Sequence, residues 1–219
     1  HKATQITNQQ LEQKVAQRTQ EIESAVISLM HSLAIAGELK DNETAQHVIR
    51  VGKYAGILAQ GYGLPTKLAQ MIEQTAPLHD IGKIGIPDSI LLKKGQLTSE
   101  EQTVMKQHTL HGQKLIGSQE SLLLQMAQSV ALNHHERWDG SGYPNGLKGE
   151  SIPIEGRITS LADVFDALTT KRPYKEAWPI DEAISEIQQG SSTYFDPMLV
   201  EIFTHKIDEF TSVMTKFAD

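Results

Sequence analysis

Side chains able to bind metal recur along this chain: Glu43, His47, His79, Asp80, His108, His134, His135 and Asp163. Five of its nine histidines fall in that set. Buried polar groups need partners, so adjacent pairs such as His79–Asp80 and His134–His135 cannot simply vanish into an apolar core. Convergence on more than one cation would satisfy them together. Glu43 and His47 lie four apart, which puts them on one face of a helix. His134 and His135 end an apolar helix and differ in direction by roughly 100°; a terminal turn lets both reach neighbouring ions. Asp80 precedes a glycine-rich turn, and each of its two oxygens can ligate one ion. Asp163 and Asp166 share a helix with Leu161, Val164, Phe165 and Leu168, which can face the core while the acids face a cleft. A plainer account remains open. Single histidines at helix ends often cap carbonyls, as His31, His111 and His205 are expected to do, and Glu43 suits the first turn of a helix.

Cysteine is absent, so any metal is held by nitrogen and oxygen. Those donors suit iron, manganese, nickel, cobalt or zinc. The formal charge of −7 argues against a broad basic surface for duplex DNA or anionic lipid. A small nucleotide could still bind through a local basic patch. No Ser–His–Asp arrangement is visible, so the expected chemistry needs no protein nucleophile.

The 219 residues, 39% of them hydrophobic, can build one core with an appendage. Residues 1 to about 30 carry Leu11, Val15, Ile22, Val26 and Leu29 near heptad spacing, with Arg18 in one stripe position. They read as a long helix that either packs on its own domain or pairs in a two-chain coiled coil. The expected division is a linker or dimerisation helix over 1–35 and a catalytic domain over 36–219. Amphipathic helices follow. One is capped by Asp41 or Asn42 and runs through Ala59, and another covers about Pro65 to Pro77. Ser99 opens a third, and others span about Glu120 to His134, Arg157 to Thr170 and Asp181 to Gly190. The last runs from Pro197 toward Phe217. Gly140, Gly142, Gly146, Gly149 and Gly156, with Pro144 and Pro153, predict a long ordered loop between His135 and Arg157. Strand-like alternation is nearly absent, so the expected class is all-α. No apolar stretch is expected to span a membrane. The start at His1, without a secretory pattern, reads as part of a longer, cytoplasmic signalling protein.

Longer motifs join these residues. His79-Asp80-Ile81-Gly82-Lys83-Ile84-Gly85-Ile86-Pro87-Asp88 and His134-His135-Glu136-Arg137-Trp138-Asp139-Gly140-Ser141-Gly142-Tyr143-Pro144 resemble the HD-GYP family, a bacterial branch of the HD phosphohydrolases. The likeness runs from Asp41 to about residue 200. It includes Glu43, His47 and Arg50, Ile152-Pro153, Asp163-Val164-Phe165-Asp166-Ala167-Leu168 and Arg172-Pro173-Tyr174-Lys175. It implies an HD-domain helical bundle around two or three divalent ions, iron or manganese first, with nickel, cobalt, zinc or magnesium as alternatives. The implied ligands are Glu43, His47, His79, Asp80, His108, His134, His135 and Asp163, with Asp80 bridging and Glu43 pointing to a third ion. Lys83, Arg172 and Lys175 are implied as contacts to the substrate's phosphates and nucleotide.

The implied activity is hydrolysis of cyclic di-GMP to linear pGpG, to GMP, or to both. Attack by metal-bound hydroxide is expected, on ions about 3.5–4 Å apart, with His79, Asp80, Lys83 and Asp163 as the catalytic core. Asp166 is expected behind the ligands, orienting one of them or a water. Tyr143 is expected to pack in its loop or to contact another signalling protein. Two other readings stay open: hydrolysis of 3′3′-cyclic GMP-AMP, and a silent module that binds nucleotide or protein. The expected partners are the cyclic dinucleotide, a second copy through the N-terminal helix and an upstream sensor domain, but not DNA.

Overall fold

A computed structural model describes residues 2–41, 44–117, 120–171 and 176–219, with side-chain surroundings from residue 10 onward. The described chain is helical, with no strand; one isolated bridge pairs Ser191 with Phe195. The all-α class expected from the sequence is what the chain adopts.

Helix α1 (Lys2–Lys40) is longer than the sequence pattern suggests. It passes straight through Gly37, whose missing side chain lets the helix lie against Ile81; an added Cβ would sit 3.3 Å from that residue's Cδ1. The reading in which this helix packs on its own domain holds for its C-terminal part. Leu11, Val15, Ile22 and Leu29 are exposed, whereas Met30 and Ala34 are buried with Val48, Leu78, Ile81 and Ala127, and Val26 and Ile35 pack alongside. The stretch Gln10–Lys40 contains an 18-residue window of mean hydropathy 1.3, enough by length and composition to cross a membrane. The C-terminal turns of the same helix, however, bury Met30, Ala34 and Glu38 inside the domain.

Helix α2 (Ala45–Gly61) forms the centre of the bundle. Thr44 caps it, its side chain accepting from His47 N at 3.2 Å. The cap therefore falls later than the Asp41 or Asn42 expected from sequence. Asn42 lies outside the described residues. Gly52 and Gly56 give α2 a flat face against α3 (Thr66–Thr75); a Cβ on either would come within 3 Å of Glu73 atoms. The opposite side carries Val51, Tyr54, Ala55 and Leu58 into the main core. There they meet Ile158, Leu161 and Phe165 of α8 (Ile154–Thr169), with Ala183 and Ile187 of α9 (Ile180–Gln189) behind. Tyr54 stacks on Phe210 at 4.6 Å and meets Phe165 edge-on at 5.2 Å.

The C-terminal segment, expected as one helix, is two: α10 (Pro197–His205) and α11 (Ile207–Lys216). Phe203 and Phe210 explain the break. Seven residues span about 10.5 Å along a straight helix, yet these rings lie 5.1 Å apart. Bending at Lys206 brings both rings onto Phe165 and Phe210 onto Tyr54 as well, burying side chains worth about 1.5–3 kcal/mol each.

Short turns position the site. Helix α3 runs into a 3-10 turn over Ala76–Leu78, and a second follows over Ile81–Gly85. His79 and Asp80 sit between them. The turn is pressed on α6 (His108–Ile116), backbone to backbone: a Cβ on Gly82 would lie 1.9 Å from His108 O and 2.4 Å from Gly112 N. Only glycine permits that approach, and it sets His108 beside Asp80. Helices α4 (Asp88–Leu91) and α5 (Ser99–Lys106) bridge the gap, α5 opening with a capping box between Thr98 and Glu101. Helix α7 (Leu122–Asn133) ends at His134 as its C-cap.

Candidate metal centre

Four elements deliver the imidazoles, and backbone carbonyls aim most of them. His79 Nδ1 lies 3.0 Å from Ala76 O, His108 Nδ1 2.8 Å from Met105 O, and His134 Nδ1 3.1 Å from Val130 O. Each carbonyl can only accept, so each Nδ1 carries a proton and each Nε2 faces inward, with a lone pair to offer where the ring is neutral. His47 is aimed by a carboxylate instead, with Nδ1 2.8 Å from Asp166 Oδ2. Arg50 fixes that carboxylate from behind, donating Nε to Oδ1 at 2.7 Å and Nη2 to Oδ2 at 3.0 Å.

The inward atoms form two groups joined by Asp80. On one side Asp80 Oδ1 lies 3.2 Å from His108 Nε2 and 3.5 Å from His134 Nε2. The potential ligand atoms of Asp80, His108, His134 and His135 are all within 4.8 Å of one another. On the other side Asp80 Oδ2 lies 3.4 Å from His79 Nε2. Asp163 Oδ1 is 3.6 Å from His79 Nε2 and 3.8 Å from His47 Nε2. Asp80 thus offers one oxygen to each side, the placement a bridging carboxylate needs.

Buried polar atoms here lack hydrogen bonds: His79 Nε2, Asp80 Oδ1 and Glu38 Oε2. Orphans of that kind are costly unless a cation or donor meets them. The donor set of imidazole nitrogens and carboxylate oxygens is consistent with divalent metal. The electrostatics differ from ring to ring. Burial pulls the His79 ring down, but Asp80 and Asp163 overcome it and push its pKa up to about 10. Burial lowers His108 to about 4 and, together with His134, takes His135 well below its ordinary value. Burial opposes ionisation of Asp80, yet Lys83 and His79 hold it well below the usual carboxylate range.

Lys83, expected to meet phosphate, has its Nζ 2.7 Å from Asp80 Oδ2 and 2.5 Å from Asp41 Oδ2. Tyr143 is not a remote loop residue. Its ring stacks on His135 at 4.7 Å, with Lys106 Nζ 5.0 Å from its centroid. Glu136 shapes that loop by accepting from Asn145 N and Leu147 N at 2.8 and 2.9 Å. Glu43, Arg172 and Lys175 lie outside the described residues. Sequence reasoning did not single out Glu38, Arg50 or Lys106 as site residues. Glu38 did leave a signal, as an acid in the otherwise apolar run after Leu33.

The HD domain family model matches residues 13–199. The chain belongs to the HD-domain family, in its HD-GYP branch. A cyclic di-GMP phosphodiesterase of Thermotoga maritima is 45% identical over 199 residues, covering 91% of this chain and 54% of that protein. A 3′3′-cGAMP-specific phosphodiesterase of Vibrio cholerae is 44% identical over 191 residues, covering 87% of this chain and 37% of that protein. The chain therefore spans about half or less of the length of these relatives. Among solved structures, a cyclic GMP-AMP-specific phosphodiesterase of V. cholerae superposes with a TM-score of 0.65 at 22% identity, over 88% of this chain and 51% of that one. At that identity the likeness concerns the HD-domain fold.

Proposed function

We propose that this chain is a metal-dependent phosphodiesterase that opens cyclic di-GMP. The observation that carries the reading is Asp80, with one oxygen facing the His108–His134 side and the other facing His79, where Asp80 Oδ1 and His79 Nε2 are buried without a hydrogen-bond partner. His79, Asp80, His108, His134 and His135 would hold metal with His47 and Asp163, and Glu43 would serve a third ion. Iron or manganese is the proposed metal, with nickel, cobalt, zinc or magnesium as alternatives. Divalent ions bound there would supply positive charge for a phosphoryl group and acidify water.

The chain's own residues do the rest. The carbonyls behind His79, His108 and His134 fix tautomer and ring direction, and Asp166 does so for His47. Lys83, whose side chain is partly exposed beside Asp80 and Asp41, would meet charge on a phosphate oxygen. Arg172 and Lys175 are proposed as further phosphate contacts from the family likeness. Tyr143, lying over His135, shields that side of the centre from water. Hydrolysis at one phosphodiester gives linear pGpG, and a second cut gives GMP.

The 44% identical relative named as specific for 3′3′-cGAMP supports a second reading, in which that dinucleotide is the substrate. Purified protein loaded with Mn²⁺ or Fe²⁺ and given each dinucleotide separately decides, with products resolved by chromatography. Faster turnover of cyclic di-GMP is expected. No turnover of either, with metal bound, would leave a silent binding module. Asp80→Ala is expected to lose metal and turnover together while circular dichroism still shows the helices; normal metal content in that variant refutes the bridging role.

The same reading makes residues 1–35 a linker that pairs two copies through Leu11, Val15, Ile22 and Leu29. A cytoplasmic placement and an upstream sensor domain in the full protein belong to it, as does contact of the Gly-Tyr-Pro loop with other signalling proteins. Light scattering on the chain with and without residues 1–30 tests the pairing; the same number of chains per particle in both refutes it.

A further inference from the structure

Glu38 lies near the C-terminal end of α1 and outside every motif that carries the family likeness. It is 2% exposed, and its Oε2 is buried without a hydrogen bond. A carboxylate oxygen of Glu38 and ring nitrogens of His47 and His79 all lie within 4.8 Å of one another. His79 Nε2 is likewise buried and unpartnered. A carboxylate taken out of water needs a cation or several donors. The nearby lysines are engaged elsewhere. Lys83 Nζ sits on Asp80 and Asp41. Lys40 Nζ donates to Ile84 O at 2.9 Å and Ile86 O at 2.7 Å, with Asp88 at 3.3 Å.

We propose that Glu38 is a metal ligand on the His47–His79 side, so that α1 itself closes the centre. The inference rests on the metal-dependent reading above. One carboxylate and two imidazoles make a hard-to-borderline donor set that suits Mn²⁺, Fe²⁺ or Zn²⁺. The three ligands come from α1, α2 and the turn after α3, so the ion ties α1 to the domain. Because the opposite end of α1 carries the exposed apolar stripe, movement of that helix and metal occupancy are linked. Linkage is reciprocal: whatever draws α1 away weakens the metal, and the metal holds α1 in place.

The test uses the full chain, Mn²⁺ as probe and Glu38→Gln, which keeps size and removes charge. Bound Mn²⁺ is measured by equilibrium dialysis with elemental analysis, and amide hydrogen exchange is followed over residues 30–40 with and without Mn²⁺. Removing a partner that merely orients a ligand commonly costs about 10–100-fold in affinity. Loss of a ligand should weaken at least one Mn²⁺ equivalent by about tenfold or more. The Mn²⁺-free variant should melt no lower than the parent, because an unpaired buried charge has been removed. Mn²⁺ should slow exchange in residues 30–40 of the parent and not of E38Q. Identical Mn²⁺ isotherms overturn the proposal, as does a lower Mn²⁺-free melting point with unchanged affinity. If E38Q does not fold, Glu38→Asp decides by the same isotherm, where full parental affinity and stoichiometry overturn it. A parent chain that takes up no Mn²⁺ overturns the metal-dependent reading as well, whereas uptake by the parent and equally by E38Q overturns Glu38 alone.

Discussion

Asp166→Asn changes one atom, and the surroundings leave that atom no acceptable place. In the parent, every neighbour of the carboxylate is a donor: His47 Nδ1 at 2.8 Å, Arg50 Nε at 2.7 Å, Arg50 Nη2 at 3.0 Å and Thr170 Oγ1 at 3.4 Å. An amide has one accepting oxygen and one donating nitrogen. With its nitrogen toward His47, the ring must carry its proton on Nε2, the atom that faces Asp163 and His79. With its nitrogen toward Arg50 Nε, that donor of a guanidinium only 2% exposed is left unpaired and the facing negative charge is gone, although Nη2 keeps the amide oxygen and Thr170 Oγ1 at 3.1 Å, and Nη1 keeps Phe217 O at 2.8 Å and Asp219 at 3.2 Å. Breaking one member of a buried ion pair costs about 3–5 kcal/mol, so urea melts of the metal-free protein should lose about 3 kcal/mol. Wrong-tautomer His47 should weaken Mn²⁺ about 10–100-fold by dialysis. The pH dependence is also specified. Burial opposes the Asp166 charge, but His47 and Arg50 lower its pKa below the ordinary 3.8; its stabilisation is present above 3.8 and lost as pH falls through the lowered value. Burial likewise opposes the His47 charge, but Asp166 raises its pKa above 6.5; that stabilisation is present below 6.5 and lost as pH rises through the raised value. The gap between parent and variant is therefore widest between 3.8 and 6.5. A variant with parental Mn²⁺ affinity and less than about 1 kcal/mol of lost stability would refute the assignment of Asp166.

His79 gives a second pH signature: its pKa of about 10 stabilises metal-free protein below 6.5, and that stability should fall by up to about 1.4 kcal/mol per pH unit as pH rises through the folded value. Urea midpoints of metal-free protein from pH 6 to 10 read it, and a flat profile contradicts the carboxylate environment of that ring. Gly82→Ala should cost at least the roughly 1–3 kcal/mol of overpacking and reduce Mn²⁺ uptake, since the new methyl would meet the backbone of His108 and Gly112; parental melting and metal content would show that the turn can move away freely. Lys83→Ala should retain metal and lower kcat/KM about 100-fold, as loss of one charge-stabilising donor does; unchanged kinetics would sever Lys83 from the phosphate.

The sequence made legible those parts of the centre that are dense in rare residue types over short spans. His79–Asp80 and His134–His135 stand out because adjacent polar residues after apolar runs need a shared purpose, and α2, α7 and α8 show their periodicity plainly. Asp166 was legible as a companion acid because it lies three residues from Asp163 on the same helix. Other features depend on where the chain turns. The break at Lys206 follows from rings that only a bent segment brings together, and no proline or glycine marks it. Tyr143 reads as a loop residue because its stacking on His135 requires the loop to fold back, which Glu136 enforces through two backbone N–H groups.

Glu38 shows most clearly what periodicity conceals. Heptad spacing describes one stripe of α1 and says nothing of the face roughly half a turn away, so the helix reads as an appendage. Its last turns instead carry Met30 and Ala34 into a core shared with Leu78 and Ile81, the residues that flank His79 and Asp80. A helix anchored there cannot rotate or slide without disturbing the elements that hold the imidazoles. Packing in protein interiors is discrete, so such a shift would move the centre between arrangements rather than deform it smoothly. The exposed row from Leu11 to Leu29 lies at the other end of the same rigid element. A contact made there has a continuous helical path to Glu38, and Glu38→Gln is the variant that should cut that path without altering the exposed row.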